Sequence, residues 1–137
     1  MRAANEWLKI LLWDVESSYS QALTFDVWEA NIPHENIITQ SFIHCISYRW
    51  YGENKIYTIS VLDDPKRFRG DPHDDYYVLR KFSEIISGAD AHVAHNGDRF
   101  DMRKFNGRLL LNDLPPLPNI KSYDTLKIAR KYFKLDY

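Results

Sequence analysis

Two acidic residues stand two positions apart near the start of the chain. Asp14 and Glu16 flank Val15 and directly follow the apolar run 8–13, which is typical of a buried strand. Side chains two apart in a strand point to the same side, and two carboxylates there repel each other unless a cation lies between them. Oxygen ligands of this kind suit Mg²⁺ or Mn²⁺, so the pair predicts a metal site. An Asp-x-Glu pair is also common at the solvated end of an ordinary strand, and that alternative stays open.

A second group of polar residues lies at 95–101, which reads His-Asn-Gly-Asp-Arg-Phe-Asp. A short apolar strand ends there, Gly97 permits a sharp turn, and Asp101 falls in the first turn of a predicted helix, where negative charge is stabilised. Simpler interpretations are available for each residue. Asp101 could be a surface acid that favours the helix dipole, Asp98 an N-cap, and Phe100 an apolar anchor that seats the helix.

The apolar patterns predict the element order β-β-β-α-β-α-β-α. Strands are predicted at 8–13, 37–51, 56–62, 91–95 and 121–125, and helices at about 76–87, 100–111 and 126–133. The second and third strands should form an antiparallel hairpin around the turn 52–54, and 63–75 should be a loop that ends in the helix caps Asp74 and Asp75. A three-strand meander followed by αβ units indicates an α/β fold, a mixed five-stranded sheet with helices on its faces.

Composition sets the limits within which these motifs are interpreted. The chain has 137 residues, 45% of them hydrophobic and 27% charged, which fits one soluble domain over 1–137. It has neither a membrane-length apolar run nor a secretion signal at 1–7, and Cys45 is its only cysteine. We therefore expect a cytoplasmic protein without a membrane partner. The net charge is −1, and two basic clusters, around 66–69 and 121–134, are typical of solvated faces.

The combination of the two acidic motifs is more specific than either alone. Asp-x-Glu after the first strand, then Asn-Gly-x-x-Phe-Asp between a later strand and its helix, resembles the first two motifs of the DEDD superfamily of 3′–5′ exonucleases, which includes the proofreading domains of DNA polymerases. The segments 10–18, 93–101 and 123–134 follow in the family's order. They are most similar to stand-alone exonuclease-like proteins of phages and bacteria that carry a tyrosine in the last motif. This similarity implies a ribonuclease H-like fold and a bacterial cell or phage-infected host.

The resemblance also implies roles for individual residues. Three of the family's four metal-binding acids match Asp14, Glu16 and Asp101. By that analogy two Mg²⁺ or Mn²⁺ ions lie about 4 Å apart, activate a water and stabilise the leaving oxygen. Asp14 would bridge the ions, Glu16 would hold the ion on the side of the nucleophile, and Asp101 would complete the shell of the other. Asn96 and Phe100 would shape the pocket for the terminal nucleotide.

The third motif of the family, Tyr-x-x-x-Asp on a later helix, is absent from the chain. Asp124 should lie two strands away from Asp14, roughly 10 Å, and is expected to cap the last helix instead. Asp136 and Tyr137 stand in the wrong order to replace the motif. The chain is therefore expected to lack the C-terminal helices of its relatives, through truncation, through a second chain that supplies the helix, or as a remnant that cuts poorly.

The main functional hypothesis is a metal-dependent exonuclease that acts on single-stranded DNA ends. RNA is an alternative substrate, because no residue identifies the sugar. A catalytically impaired module that binds nucleic acid or a protein partner is the alternative from another class, supported by the missing fourth acid. An uncovered sheet face would also favour self-association.

Overall fold

The computed structural model describes residues 7–28 and 31–134, so the predictions made for 1–6, Asp136 and Tyr137 lie outside it. The strands are β1 (Ile10–Ser17), β2 (Gln21–Ala22), β3 (Ile37–Thr39), β4 (Ile43–Trp50), β5 (Tyr57–Ser60), β6 (Ala91–Ala94) and β7 (Lys121–Asp124). The helices are α1 (Pro65–Gly70), α2 (Tyr76–Ile86), α3 (Asp101–Leu111) and α4 (Thr125–Tyr132), with 3₁₀ turns at His34–Asn36 and Val61–Asp63. Within residues 7–28 and 31–134, none of the helices could span a lipid bilayer.

Five strands form one mixed sheet in the order β5-β4-β1-β6-β7. The central strand β1 runs antiparallel to β4 and parallel to β6, and β6 runs parallel to β7. The prediction of a mixed five-stranded α/β sheet is confirmed, as is the antiparallel hairpin of β4 and β5. The arrangement is consistent with a ribonuclease H-like fold. The two short strands β2 and β3 pair separately from this sheet.

Alternation along β1 decides which way the acids point. Leu11, Trp13 and Val15 are buried, and the Trp13 ring packs against Phe82 of α2 and Phe105 of α3 at centroid distances of 4.8 and 6.2 Å. Burial of one such large side chain stabilises the fold by about 1.5–3 kcal/mol. Because the odd-numbered residues face these two helices, the even-numbered acids point to the opposite side of the sheet.

Two predicted strand boundaries are wrong. The acids do not follow β1 but lie within it, because antiparallel pairing with β4 continues beyond the apolar run and sets Asp14 opposite Ser47 and Glu16 opposite Cys45. The single strand predicted at 37–51 is two strands, β3 and β4. β3 pairs with β2 outside the main sheet, and the register shifts where Ser17 meets β4.

The loop predicted at 63–75 contains a helix, α1. Asp64 precedes it and its side chain accepts a hydrogen bond from the backbone N–H of Arg67 at 3.2 Å, while Pro65 occupies the first helical position. Asp-Pro is a helix-start signal, but the six residues of α1 contain one large apolar side chain after the proline, Phe68, which is too few to show a helical period.

Asp75 occupies the N-cap position of α2, as the sequence predicts, but its side chain forms no hydrogen bond with the helix start. It is fully buried, and its carboxylate accepts two hydrogen bonds from the Arg108 guanidinium at 2.7 and 2.8 Å and one from the Ile43 backbone N–H at 2.9 Å. The side chain that does bond to the start of α2 is Asp74, which accepts from Tyr76 N–H at 3.0 Å. Asp75 thus joins α2 to α3 through a buried bidentate ion pair and to β4 through a backbone hydrogen bond.

Candidate metal and nucleic-acid site

Asp101 joins the start of α3 to the central strand. Its side chain is only 2% exposed, and Oδ1 accepts a hydrogen bond from the backbone N–H of Val15 at 3.0 Å. Pairing of β1 with β6 ends at Leu12, so the Val15 N–H has no partner in β6 and is available to the carboxylate. The bond places Asp101 against the residue between Asp14 and Glu16, and in this way the structure brings the three predicted acids to one end of β1.

The three acids differ in their surroundings. Burial raises the pKa of Asp101; the hydrogen bond from Val15 opposes that effect, and the negative charge of Asp14 adds to it. Asp14 and Glu16 are exposed, and neither forms a side-chain hydrogen bond or ion pair among the described residues. One acid is thus fixed and buried, whereas the other two are free to rotate in solvent.

The donor chemistry of these acids suits Mg²⁺ or Mn²⁺, since carboxylate oxygen is the ligand that both ions prefer. In the part of the chain that the structure describes, no three His, Cys, Asp or Glu side chains are arranged to hold an ion. Exposed like-charged acids turn away from each other and toward water unless a cation lies between them. Exposed side chains change rotamer within picoseconds to nanoseconds, so the side chains of Asp14 and Glu16 are able to reorient.

The turn between β6 and α3 has a backbone that its sequence explains. Asn96 adopts a left-handed conformation with φ of 57°, which asparagine tolerates better than most residues, and its carbonyl accepts a bond from Phe100 N–H at 3.0 Å. A Cβ on Gly97 would lie 2.6 Å from the Cβ of Ala94. Glycine is therefore required at position 97 because of its close packing against β6. The residue of this turn that adopts the left-handed conformation is Asn96, not Gly97.

Asp124 holds this turn from the next strand. It is 5% exposed, and its Oδ1 accepts hydrogen bonds from Asn96 N–H at 2.8 Å and Leu126 N–H at 3.0 Å, while Oδ2 accepts a longer one from Asp98 N–H at 3.3 Å. The predicted cap of α4 is confirmed, as is the position of β7 two strands from β1. The sequence analysis did not predict the hydrogen bond between Asp124 and Asn96. The signal for it is that β6 and β7 are neighbouring parallel strands, so the residues at their carboxyl ends lie side by side.

Asp98 forms a second tie between the same segments. Its carboxylate accepts a hydrogen bond from Ser122 Oγ at 2.7 Å and pairs with the Lys127 ammonium. The hydrogen bond from Lys127, followed by that from Ser122, holds the pKa of Asp98 below its usual range. Asp98 is therefore not the N-cap of α3, since Phe100 occupies that position without a side-chain cap. Both ends of the turn depend on β7 and α4.

Phe100 lies at the surface directly before Asp101. Its side chain is 46% exposed and takes no part in the buried core, so the interpretation of Phe100 as a buried anchor for α3 is wrong. Phe105 and Leu109 form the buried face of the helix instead. Asn96 is partly buried one turn away. Contact of Asn96 and Phe100 with a terminal nucleotide remains a prediction.

The acids lie on an open surface. A large cavity of about 590 Å³ lies at the opposite end of β1, where its lining includes Leu8, Trp50 and Tyr51. It shares no residue with the acidic site. Its size is consequently no guide to the chemistry of the acids.

No family model matches this sequence, and no curated protein matches it. Eighty-one chains of solved structures do match. One is a family B DNA polymerase from the hyperthermophilic archaeon Pyrobaculum calidifontis, at 13% sequence identity and a TM-score of 0.65. The match covers 96% of this chain and 17% of the polymerase chain. At this identity the similarity shows the fold: the chain is folded like one part of a DNA polymerase.

Proposed function

We propose that this chain is a metal-dependent 3′–5′ exonuclease domain that acts on single-stranded DNA ends. The observation that carries the proposal is the bond from Val15 N–H to Asp101, which holds a buried carboxylate beside the two exposed acids Asp14 and Glu16. The similarity of the fold to part of a DNA polymerase supports it, because the sequence motifs resemble those of proofreading exonucleases.

Each acid has a distinct task in this proposal. Asp101 supplies a fixed oxygen ligand, since its position is set by the strand rather than by solvent. Asp14 and Glu16 supply adjustable ligands on the exposed side of β1. Bound divalent cations would activate a water and stabilise the leaving oxygen of the phosphodiester. Without cations, the same three negative charges repel a phosphate, so we expect contact of the terminal phosphodiester with the acids to depend on metal, whereas contacts of the strand elsewhere on the chain do not.

The terminal nucleotide would be positioned by the turn that leads into α3. Phe100 offers an exposed aromatic face directly before Asp101, and stacking on such a face is worth about 1–3 kcal/mol per base and tolerates any base. Asn96 is held in place through the Asp124 carboxylate, which keeps this side of the site rigid. No described contact distinguishes deoxyribose from ribose, so the preference for DNA comes from the resemblance.

Digestion of a 5′-labelled single strand tests the proposal. In Mn²⁺ the chain should produce a ladder that shortens from the 3′ end, and DNA and RNA of the same sequence should be compared. Glu16→Gln should slow digestion by at least about 100-fold, because a metal ligand is lost. Glu53→Gln is the matched control, since Glu53 is an exposed acid in the β4–β5 turn at the other end of the sheet. Digestion that is as fast in EDTA as in Mn²⁺ would reject the proposal. So would a Glu16→Gln variant that digests the strand as fast as the Glu53→Gln variant.

A binding module that does not cut is the second candidate. It is favoured by the arrangement of the acids, no three of which are placed to hold an ion in the described part of the chain. It predicts strand binding that is unchanged by chelator and by Glu16→Gln. Digestion by the wild-type chain that Glu16→Gln abolishes would exclude it.

A further inference from the structure

A small basic cavity lies beside α3, at the same end of the sheet as the acids. We call it the α3 pocket; its volume is about 220 Å³, and its polar lining residues are Ser20, Gln40, Ser41, Arg103, Lys104 and Arg108. We propose that the α3 pocket binds a backbone phosphate of the strand whose 3′ end lies at the acids. This inference rests on the proposed exonuclease function and adds a second contact point for the same substrate.

The position of the pocket follows from the elements that form it. α3 begins at Asp101, and Lys104 and Arg108 follow about one and two turns later on the same side, with 5.4 Å per turn. Ser20 comes shortly after the end of β1, and Ser41 comes shortly before β4. The pocket thus starts about one helical turn from Asp101, at the end of the sheet where Asp14 and Glu16 also lie, although those two side chains point to the other face of β1.

The charges in the pocket leave a net attraction for an anion. Arg108 is neutralised by its ion pair with Asp75. Lys104 donates to the backbone carbonyl of Ser41 at 3.0 Å, and burial, followed by the charge of Arg108, lowers its pKa. Arg103 is exposed and has no ionic partner among the described residues. Two positive groups therefore remain uncompensated.

The lining also fits phosphate in its hydrogen-bonding chemistry. The guanidinium of Arg103 presents several donors in a fork that matches phosphate oxygens. The hydroxyls of Ser20 and Ser41 and the amide of Gln40 provide neutral donors, and the lining residues include no carboxylate. Positive groups on a solvated helix face are usually scattered among acids. Here Arg103, Lys104 and Arg108 line the α3 pocket together with serine hydroxyls from two loops.

Fluorescence anisotropy of a labelled single-stranded oligonucleotide in EDTA tests the pocket, because no hydrolysis then interferes. Affinity is measured over a range of NaCl concentrations. Arg103→Ala should weaken binding about 5-fold and reduce the slope of log K against log salt by about 0.7, the value for one phosphate contact on a single strand. Arg103→Glu should weaken it further. Arg69→Ala, at an exposed arginine of α1, is the matched control and should change neither quantity.

The outcomes separate this inference from the proposed function. A salt slope that is unchanged in Arg103→Ala and Arg103→Glu, an equal loss in Arg69→Ala, or a wild-type chain that does not bind would overturn the pocket, whatever the digestion assay shows. A reduced slope in the Arg103 variants alone would support the pocket even if no Mn²⁺-dependent digestion occurred. In that case only the catalytic proposal would fail.

Discussion

Replacement of Asp124 by alanine should destabilise the chain more than loss of an ordinary helix cap. The carboxylate of Asp124 accepts hydrogen bonds from three backbone N–H groups, of which only that of Leu126 belongs to α4. The other two, from Asn96 and Asp98, hold the turn in front of α3. Asp124→Ala therefore removes a cap and a link between two loops together.

The expected size of the effect follows from these contacts. Loss of an N-cap side chain costs about 1 kcal/mol. A hydrogen bond to a charged group contributes about 1.5–3 kcal/mol, and the 2.8 Å bond from Asn96 is the shortest of the three. The free energy of unfolding should consequently fall by about 2–4 kcal/mol. Asp64→Ala is the control, because Asp64 caps α1 through one backbone N–H, that of Arg67, and its other contact is a long, partly exposed ion pair with the Arg67 side chain at 3.7 Å; the variant should cost about 1 kcal/mol.

Urea unfolding of the wild-type chain and the two variants measures this difference. Asp124→Ala should also lower digestion of DNA, since Asn96 and the turn before α3 lose their support. A destabilisation by Asp124→Ala no larger than that by Asp64→Ala would refute the claim that β7 holds the turn.

Three further predictions concern the buried polar groups. Arg108→Ala should lower the free energy of unfolding by about 3–5 kcal/mol in a urea titration, because the Asp75 charge would remain buried without the cation that neutralises it. Asp101→Asn should raise it by about 0.5–2 kcal/mol in EDTA, since a charge is no longer buried and its repulsion by Asp14 is relieved, while an acceptor for the bond from Val15 N–H is kept; it should also abolish digestion, and a less stable variant would contradict this. Burial lowers the pKa of His92, whose Nδ1 accepts a bond from Trp13, so the unfolded chain binds the proton more tightly. The contribution of His92 to the free energy of unfolding should therefore be fully present above pH about 6.5 and decline below it. Between pH 7.5 and 5.5 the His92→Asn variant should lose less free energy of unfolding than the wild-type chain does.

Much of the sheet could be predicted because its determinants are local. The apolar run before Asp14 identified the central strand, and the 3.6-residue pattern identified α2 and α3, with Phe82 and Phe105 on their buried faces. The side-by-side order of β6 and β7 follows from αβ units of ordinary length. Strand ends were less predictable, since β1 is extended through Ser17 by pairing with β4, in which Cys45 lies opposite Glu16 at a separation of 29 residues.

The contacts that organise the site were not predictable in the same way. Asp75 meets Arg108 across 33 residues of sequence, and Asp124 meets Asn96 across 28. Each of these acids also precedes a helix, so local patterns explain it equally well as a cap. Only the packed arrangement of parallel strands and helices shows which acid is buried. The exposure of Phe100 was open for the same reason, because an aromatic residue at a helix start can face either way.

The central claim is that Asp14, Glu16 and Asp101 together hold a divalent cation. Titration of Mn²⁺, followed by the loss of the electron paramagnetic resonance signal of the free ion, tests it most directly. We predict binding by the wild-type chain that is weakened at least about 10-fold by Asp14→Asn, Glu16→Gln and Asp101→Asn and is unchanged in Glu53→Gln. A wild-type chain that binds no Mn²⁺, or one whose affinity is the same in all four variants, would contradict the account.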